Sequence, residues 1–180
     1  MSIITSIKTA LHKRALQQKL SNRRRHRVSG SLITARDLVV LYDASEEYQN
    51  KQAENFFSQL KGLDIKVKSV GYAKYKIVPH YCIPQLTRQF ICKSDLNIIG
   101  IPNKATLNDL LDEEVDLLIS LDMEQDPVLQ YLAAMSVAKF KVGYNHPDNL
   151  PWFDFLVGAK PGDMTDYIKQ LIHYLSINNA

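Results

Sequence analysis

The chain has 180 residues, of which 46% are hydrophobic and 23% are charged, with seven Gly, seven Pro and two Cys. This length and apolar content suit one domain with a buried core, or such a domain plus an arm; they exclude a chain disordered along most of its length, a low-complexity polymer and a disulfide-stapled miniprotein. Residues 1–36 carry nine Lys and Arg and no acid, whereas the rest of the chain holds 13 Lys and Arg against 19 Asp and Glu, so the net charge of +3 divides into +9 and −6.

The first predicted element is a basic amphipathic helix over residues 2–27. One stripe of apolar side chains recurs at a spacing of three to four residues, and no Gly or Pro interrupts it before Gly30. The members of this stripe are Ile4, Ile7, Leu11 and Ala15. Residues 28–31 break the pattern and act as a linker. Residues 1–31 are therefore predicted to form a separate unit, the basic arm, joined to a domain over residues 32–180.

Strands and helices are predicted to alternate from Asp37 onward. The continuous apolar run at 38–42 is typical of a strand buried on both faces, and the helix after it is capped by Ser45 and ends at Gly62. A second strand at 65–70 completes a strand–helix–strand unit, which implies parallel pairing. Further strands are predicted at 90–93, 116–122, 140–144 and 153–157, and further helices at 106–114, 127–138 and 164–175.

This alternation predicts an α/β fold, a Rossmann-like, open, mostly parallel sheet of about five or six strands with helices on both faces. Ligands of such sheets bind beyond the carboxyl ends of the strands, near the point where the strand order reverses. Asp43, Ser45 and Asp122 are expected at that crevice, where Asp43 and Asp122 are candidate metal ligands or an acid and base pair. The alternative is that they only cap the helices that follow. Neither turn contains glycines of a dinucleotide or Walker loop, so no nucleotide cofactor is expected.

The remaining histidines and cysteines do not form a recognisable site. Zinc sites usually show two close pairs of ligands, and this chain offers only the loose pair His80 and Cys82, so no metal is expected. Cys82 and His146 are of the right type for a nucleophile and its base, but their spacing gives no support, and His146 fits a turn better. A bridge between Cys82 and Cys92 is sterically feasible, although two cysteines in such a chain more often remain reduced.

We expect a cytoplasmic protein. No run approaches the roughly 18 apolar residues of a membrane span, and basic residues interrupt the N-terminus where a secretory signal would need an apolar core. A mitochondrial transit peptide remains an alternative, because the N-terminal segment is rich in Arg and lacks acids.

The densest sequence signal is the basic run at 23–27. Nucleic-acid phosphates are the first candidate partner, since guanidinium groups match phosphate oxygens and binding releases counterions. The candidate contact residues are Lys13, Arg14, Lys19, Arg23, Arg24, Arg25 and Arg27. The arm contains no Trp, Phe or Tyr, so contact would be directed at the backbone of RNA rather than at its bases.

Other interpretations of the basic run remain open. It can be a solvated helix end whose cations suit the helix dipole, or it can bind an anionic membrane, although its narrow apolar stripe favours that less. It can also dock on a partner protein or on acids of its own domain, for which the candidates are Asp109, Asp112, Glu113, Glu114 and Asp116.

Five short segments carry a resemblance that extends over most of the chain. They are residues 20–25, 41–44, 116–121, 138–143 and 172–175. In this order they resemble a family of short, uncharacterised bacterial proteins, which implies a basic N-terminal helix before a Rossmann-like domain of unknown function. Residues 116–143 are also similar, more weakly, to the N-terminal half of bacterial heptosyltransferases. That similarity implies an acceptor-side domain without the second domain that mainly holds the nucleotide sugar.

Two functions from different classes follow. The first is a non-enzymatic cytoplasmic factor that associates with RNA or the ribosome through its basic arm. The alternative is a small or degenerate glycosyltransferase-like domain with a ligand at Asp43 and Asp122, or a protein adaptor. Whether the chain is an enzyme stays open, with the lack of a catalytic motif favouring the first function.

Overall fold

A computed structural model describes residues 25–103 and 112–176. Most of the predicted N-terminal helix and of the helix at 106–114 therefore lies outside the described residues. The predicted extension of the first helix to Arg27 is wrong, because residues 25–30 have no helical structure. Instead, the backbone N–H of Val28 donates to the carbonyl oxygen of Lys139 over 3.2 Å, so the end of the arm lies against the domain.

Six strands and three longer helices make up the described domain. The strands are β1 (Asp37–Asp43), β2 (Lys66–Ala73), β3 (Arg88–Cys92), β4 (Leu117–Ser120), β5 (Phe140–Tyr144) and β6 (Phe155–Val157). The helices are α1 (Glu47–Gln59), α2 (Pro127–Met135) and α3 (Met164–Ser176), with single 3₁₀ turns at Lys93–Asp95 and Pro147–Asn149. Each described strand and helix lies within a few residues of its predicted position, and β5 lies at the predicted residues.

The six strands form one sheet in the order β3-β2-β1-β4-β5-β6, and every neighbouring pair is parallel. The prediction of a Rossmann-like sheet is confirmed, and its size reaches the upper end of the predicted range. The chain builds outward from β1 to β3, returns to the centre, and builds outward again from β4 to β6. The order thus reverses between β1 and β4, whose carboxyl ends border the crevice where ligands of this fold class bind.

Helices cover both faces of the sheet. Val39 and Leu41 of β1 belong to the core beneath α2, whereas Leu38, Val40 and Tyr42 belong to the core beneath α1 and α3. All five side chains are at most 1% exposed, because successive residues of a strand point to opposite faces and both faces are covered. The continuous apolar run of β1 is explained by this two-sided burial.

The segment before β1 belongs to the core of the domain. Leu32 is 2% exposed, and its backbone N–H donates to the carbonyl oxygen of Leu175 in α3 over 2.9 Å. Ala35 is also buried in the core beneath α1 and α3. None of the described helices is long and apolar enough to cross a membrane.

Candidate functional site

The structure brings Asp43, Ser45 and Asp122 to the same edge of the sheet. Asp43 ends β1, Ser45 follows two residues later, and Asp122 lies two residues beyond the end of the adjacent β4. All three residues are buried. We call this group the switch-point crevice, since it lies where the strand order reverses.

In the turn after β4, the backbone N–H groups donate hydrogen bonds to carboxylates of the chain itself. Asp122 accepts from the N–H groups of Glu124 and Asp126, over 2.9 and 2.7 Å. Asp126 is the N-cap of α2 and accepts from the N–H of Val128 over 2.8 Å. In dinucleotide-binding sheets such N–H groups hold phosphate oxygens. Here they are already satisfied.

In the turn after β1, the backbone N–H groups likewise donate to side chains of the chain itself. Asp43 accepts from the N–H of Ser45 over 2.8 Å, and the N–H of Glu46 donates to the side chain of Gln49 over 3.1 Å. The prediction that Ser45 caps α1 is wrong, because the N-cap is Glu46. The Ser45 hydroxyl instead accepts from the backbone N–H of Lys74 over 2.9 Å, and this contact ties the turn to the residue after β2.

Lys74 is the residue of the switch-point crevice that sequence reasoning missed. Its ammonium lies 2.7 Å from Asp43, 3.4 Å from Glu124 and 3.7 Å from Asp126. Burial opposes the charged form of this lysine, but the hydrogen bond to Asp43 and the neighbouring carboxylates outweigh it, so the pKa of Lys74 lies above its ordinary value. Because β2 is the neighbour of β1, a cation directly after β2 was the available signal.

Asp122 is a buried carboxyl whose surroundings shift its pKa. Burial raises its pKa to about 6, and the charge of Asp126 adds to this effect, while the two backbone N–H groups oppose it. A carboxyl of this kind can serve as a general base when one oxygen reaches a substrate. Both oxygens of Asp122 accept N–H groups of its own loop, and the residue is 5% exposed. This geometry supports a structural role.

Cys82 and His146 do not form a nucleophile pair. The Cys82 thiol is buried beside the carbonyl oxygen of Ala44, 3.7 Å away, and burial raises its pKa to about 11. His146 faces its own turn and accepts from the N–H of Asp148 over 3.2 Å. Cys82 and Cys92 form no disulfide. Within residues 25–103 and 112–176, no group of three or more His, Cys, Asp or Glu residues is placed to hold a metal ion.

The basic arm is anchored to the domain through Arg25. Its guanidinium forms two hydrogen bonds with the carboxylate of Asp154, over 2.5 and 2.6 Å, and a third with the carbonyl oxygen of Ala138 over 3.0 Å. The side chains of Arg25 and Asp154 are only 11% and 14% exposed. Paired hydrogen bonds of this kind fix direction as well as distance. The remaining residues of the predicted contact set lie outside the described residues. They are Lys13, Arg14, Lys19, Arg23 and Arg24.

Asp154 was not among the acids predicted to receive the arm. Of the predicted set, Asp116 and Glu114 contact Lys139, Glu113 pairs with Lys68, and Asp109 lies outside the described residues. Burial alone would raise the pKa of Asp154, but the hydrogen bonds from Arg25 and from the N–H of Lys141 hold it below the ordinary value. Sequence could not select Asp154, because only the β5–β6 pairing places it beside the arm.

Arg27 differs from Arg25 in its surroundings. Its Nε lies 3.7 Å from Asp154, and the side chain remains 73% exposed. The two arginines at the end of the arm therefore differ in burial and in accessibility to solvent. Arg25 holds the arm to the domain, and Arg27 presents its charge to solvent.

Comparison with known proteins gives one match. A family model described as a family of unknown function matches residues 8–177, which includes most of the basic arm as well as the domain. No curated protein and no solved structure matches the chain. The resemblance to heptosyltransferases therefore remains a prediction, whereas the resemblance to an uncharacterised family is confirmed: the chain belongs to the family of unknown function DUF6913.

Proposed function

We propose that this protein is a non-enzymatic cytoplasmic factor that binds RNA, as a free molecule or on the ribosome, through its basic arm. The observation that carries the proposal is the separation of charge along the chain, with nine cations and no acid in residues 1–36. A polyanion with regularly spaced phosphates is the partner that such a segment suits best, because each neutralised phosphate releases a counterion.

The anchoring of Arg25 supports this proposal in a specific way. The bidentate pair with Asp154 ties the end of the arm to the domain through Arg25, whereas the side chain of Arg27 stays 73% exposed. We infer that Arg25 positions the arm and that RNA phosphates contact Lys13, Arg14, Lys19, Arg23, Arg24 and Arg27. Arg25 itself is not part of this inferred contact set, although its residue type suggested it.

The switch-point crevice gives the alternative function less support. Its backbone N–H groups are occupied by Asp43, Asp122 and Asp126, and its cation, Lys74, is paired with Asp43. A ligand with phosphate groups would have to displace these internal contacts. The same geometry explains the charges there as supports for the two turns and for α2.

Charge reversal within the arm tests the proposal. In the full-length protein, Arg23→Glu combined with Arg24→Glu is expected to weaken the binding of single-stranded RNA at least tenfold, measured by filter binding at low salt, because two phosphate contacts become repulsive. The control is Lys51→Glu combined with Lys61→Glu, two exposed lysines of the domain that give the same change in net charge. Equal loss of affinity in both double variants would show that net charge alone attracts RNA, and unchanged affinity in the arm variant would refute the proposal.

A further inference from the structure

We propose that a pocket beside Trp152 holds one nucleotide of the bound single-stranded RNA, with the base against the indole ring and a phosphate on Arg27. This inference rests on the proposed function and names the place where the domain contacts an RNA base. The arm lacks aromatic side chains, but the fold places one next to the arm's anchored end.

The pocket has a volume of about 270 Å³ and lies between the end of the arm, the residues after α2 and the turn before β6. This volume is just below that of typical small-molecule sites, so it admits a unit about the size of one nucleotide. Its walls combine apolar or aromatic residues with cations. The apolar or aromatic residues include Val137, Pro151 and Trp152, and the cations are Arg25, Arg27 and Lys141.

The charges around the pocket favour an anion. Asp154 is the carboxylate next to it, and its two oxygens already accept from Arg25 and from the N–H of Lys141. Arg27 adds a guanidinium that is 73% exposed and therefore accessible to a phosphate. Three cations thus line the pocket, and the neighbouring carboxylate is already paired.

Lys141 is a buried cation that lines the pocket. The residue is 3% exposed, and its ammonium donates to the carbonyl oxygens of Ala133 and Ala134 over 2.6 and 3.2 Å. These carbonyls belong to the last turn of α2, where the helix dipole is negative. Lys141 offsets that negative end, so α2 does not repel an incoming phosphate.

Trp152 supplies the surface for a base. The residue is partly buried against the core beneath α2 and still lines the pocket, so the ring is held in place while part of it stays accessible. Stacking of a base on an aromatic side chain contributes about 1–3 kcal/mol in single-strand complexes, for any base. Bases of a single strand are free to stack in this way, whereas bases of an RNA duplex are not. The combination of phosphate charge and an aromatic wall therefore favours single-stranded RNA over a duplex.

The fluorescence of Trp152 provides the test, because it is the only tryptophan in the chain. We expect a ten-nucleotide RNA added to the full-length protein to quench this fluorescence in a saturable manner. An abasic oligonucleotide of the same length should bind through the arm without such quenching. Trp152→Leu should weaken RNA binding about tenfold and leave binding of the abasic strand unchanged. Tyr48→Leu, which alters an exposed aromatic residue of α1, should change neither.

Each outcome separates this inference from the proposed function. Binding of RNA without quenching, or equal binding by the wild type and a folded Trp152→Leu variant, would overturn the Trp152 pocket and leave the arm proposal intact. Failure of both the RNA and the abasic strand to bind at low salt would refute the proposed function itself. Quenching by a free mononucleotide at the same concentration as RNA would assign the pocket to soluble nucleotides and overturn it as an RNA contact. If Trp152→Leu does not fold, the presence or absence of fluorescence quenching when RNA is added to the wild-type protein still decides.

Discussion

Asp122 shows at the residue scale how a buried carboxyl can organise a turn at a cost in stability. Its oxygens hold the N–H groups of Glu124 and Asp126, and these bonds shape the loop that leads into α2. Burial still disfavours the charged form, which is why its pKa rises to about 6 from an ordinary value of 3.8. The folded protein therefore binds a proton more tightly than the unfolded chain does at this residue.

The pH dependence of stability follows from that difference. A carboxyl whose pKa is higher in the folded state contributes stability at low pH and loses it as the pH rises from about 4 to about 6. The free energy of unfolding of the wild type, relative to Asp122→Asn, is expected to fall by about 2 kcal/mol between pH 4 and pH 7. Urea denaturation of both proteins at the two pH values measures it. A relative stability that is constant with pH, or that increases, would contradict the inferred state of Asp122.

The residues of the switch-point crevice were predictable to different degrees. Asp43, Ser45 and Asp122 could be placed because each follows a recognisable apolar strand, and strand ends meet at one edge of a parallel sheet. Lys74 was missed because it begins an irregular stretch, although its position directly after β2, the predicted neighbour of β1, was a usable signal. The N–H groups from which each carboxylate accepts could not be predicted either, because they depend on the detailed geometry of the turns.

At the element scale, the decisive feature is how the end of the basic arm joins β5 and β6. Arg25 reaches Asp154, the residue before β6, and the N–H of Val28 reaches the carbonyl of Lys139, the residue before β5. Both contacts lie at the amino ends of these strands, at the opposite edge of the sheet from the switch-point crevice. The strands themselves were predictable from apolar runs, but the residue that receives Arg25 was not, because no local pattern distinguishes Asp154 from the other acids.

A double-mutant cycle on Arg25 and Asp154 measures the strength of this anchor. Arg25→Ala and Asp154→Asn are each expected to lower the free energy of unfolding, and the two losses should overlap by about 1–2 kcal/mol, because the paired hydrogen bonds are lost once. Chemical denaturation of the wild type, both single variants and the double variant gives the coupling. Strictly additive losses would show that the pair does not hold the arm.

At the scale of the whole molecule, the protein combines two parts of opposite net charge. The part from residue 37 onward carries the acids and folds into a six-stranded parallel sheet, in which acidic side chains of the switch-point crevice are used to stabilise turns. The described end of the basic arm contacts the domain through Arg25, at the opposite ends of the strands from that crevice. The sequence predicted the division of charge and the fold class. It did not predict that the domain would place Trp152 and Lys141 beside the arm, because these residues meet the arm only in the folded sheet.

The most direct measurement is the salt dependence of RNA affinity for the full-length protein. If the six arm cations other than Arg25 contact phosphates of a single strand, log K should fall linearly with log salt, with a slope of about −4. Arg24→Ala should reduce the magnitude of that slope by about 0.7, whereas Arg25→Ala should leave it nearly unchanged. A slope near zero, or a slope that does not respond to Arg24→Ala, would contradict the claim that the basic arm is the RNA-binding part of this protein.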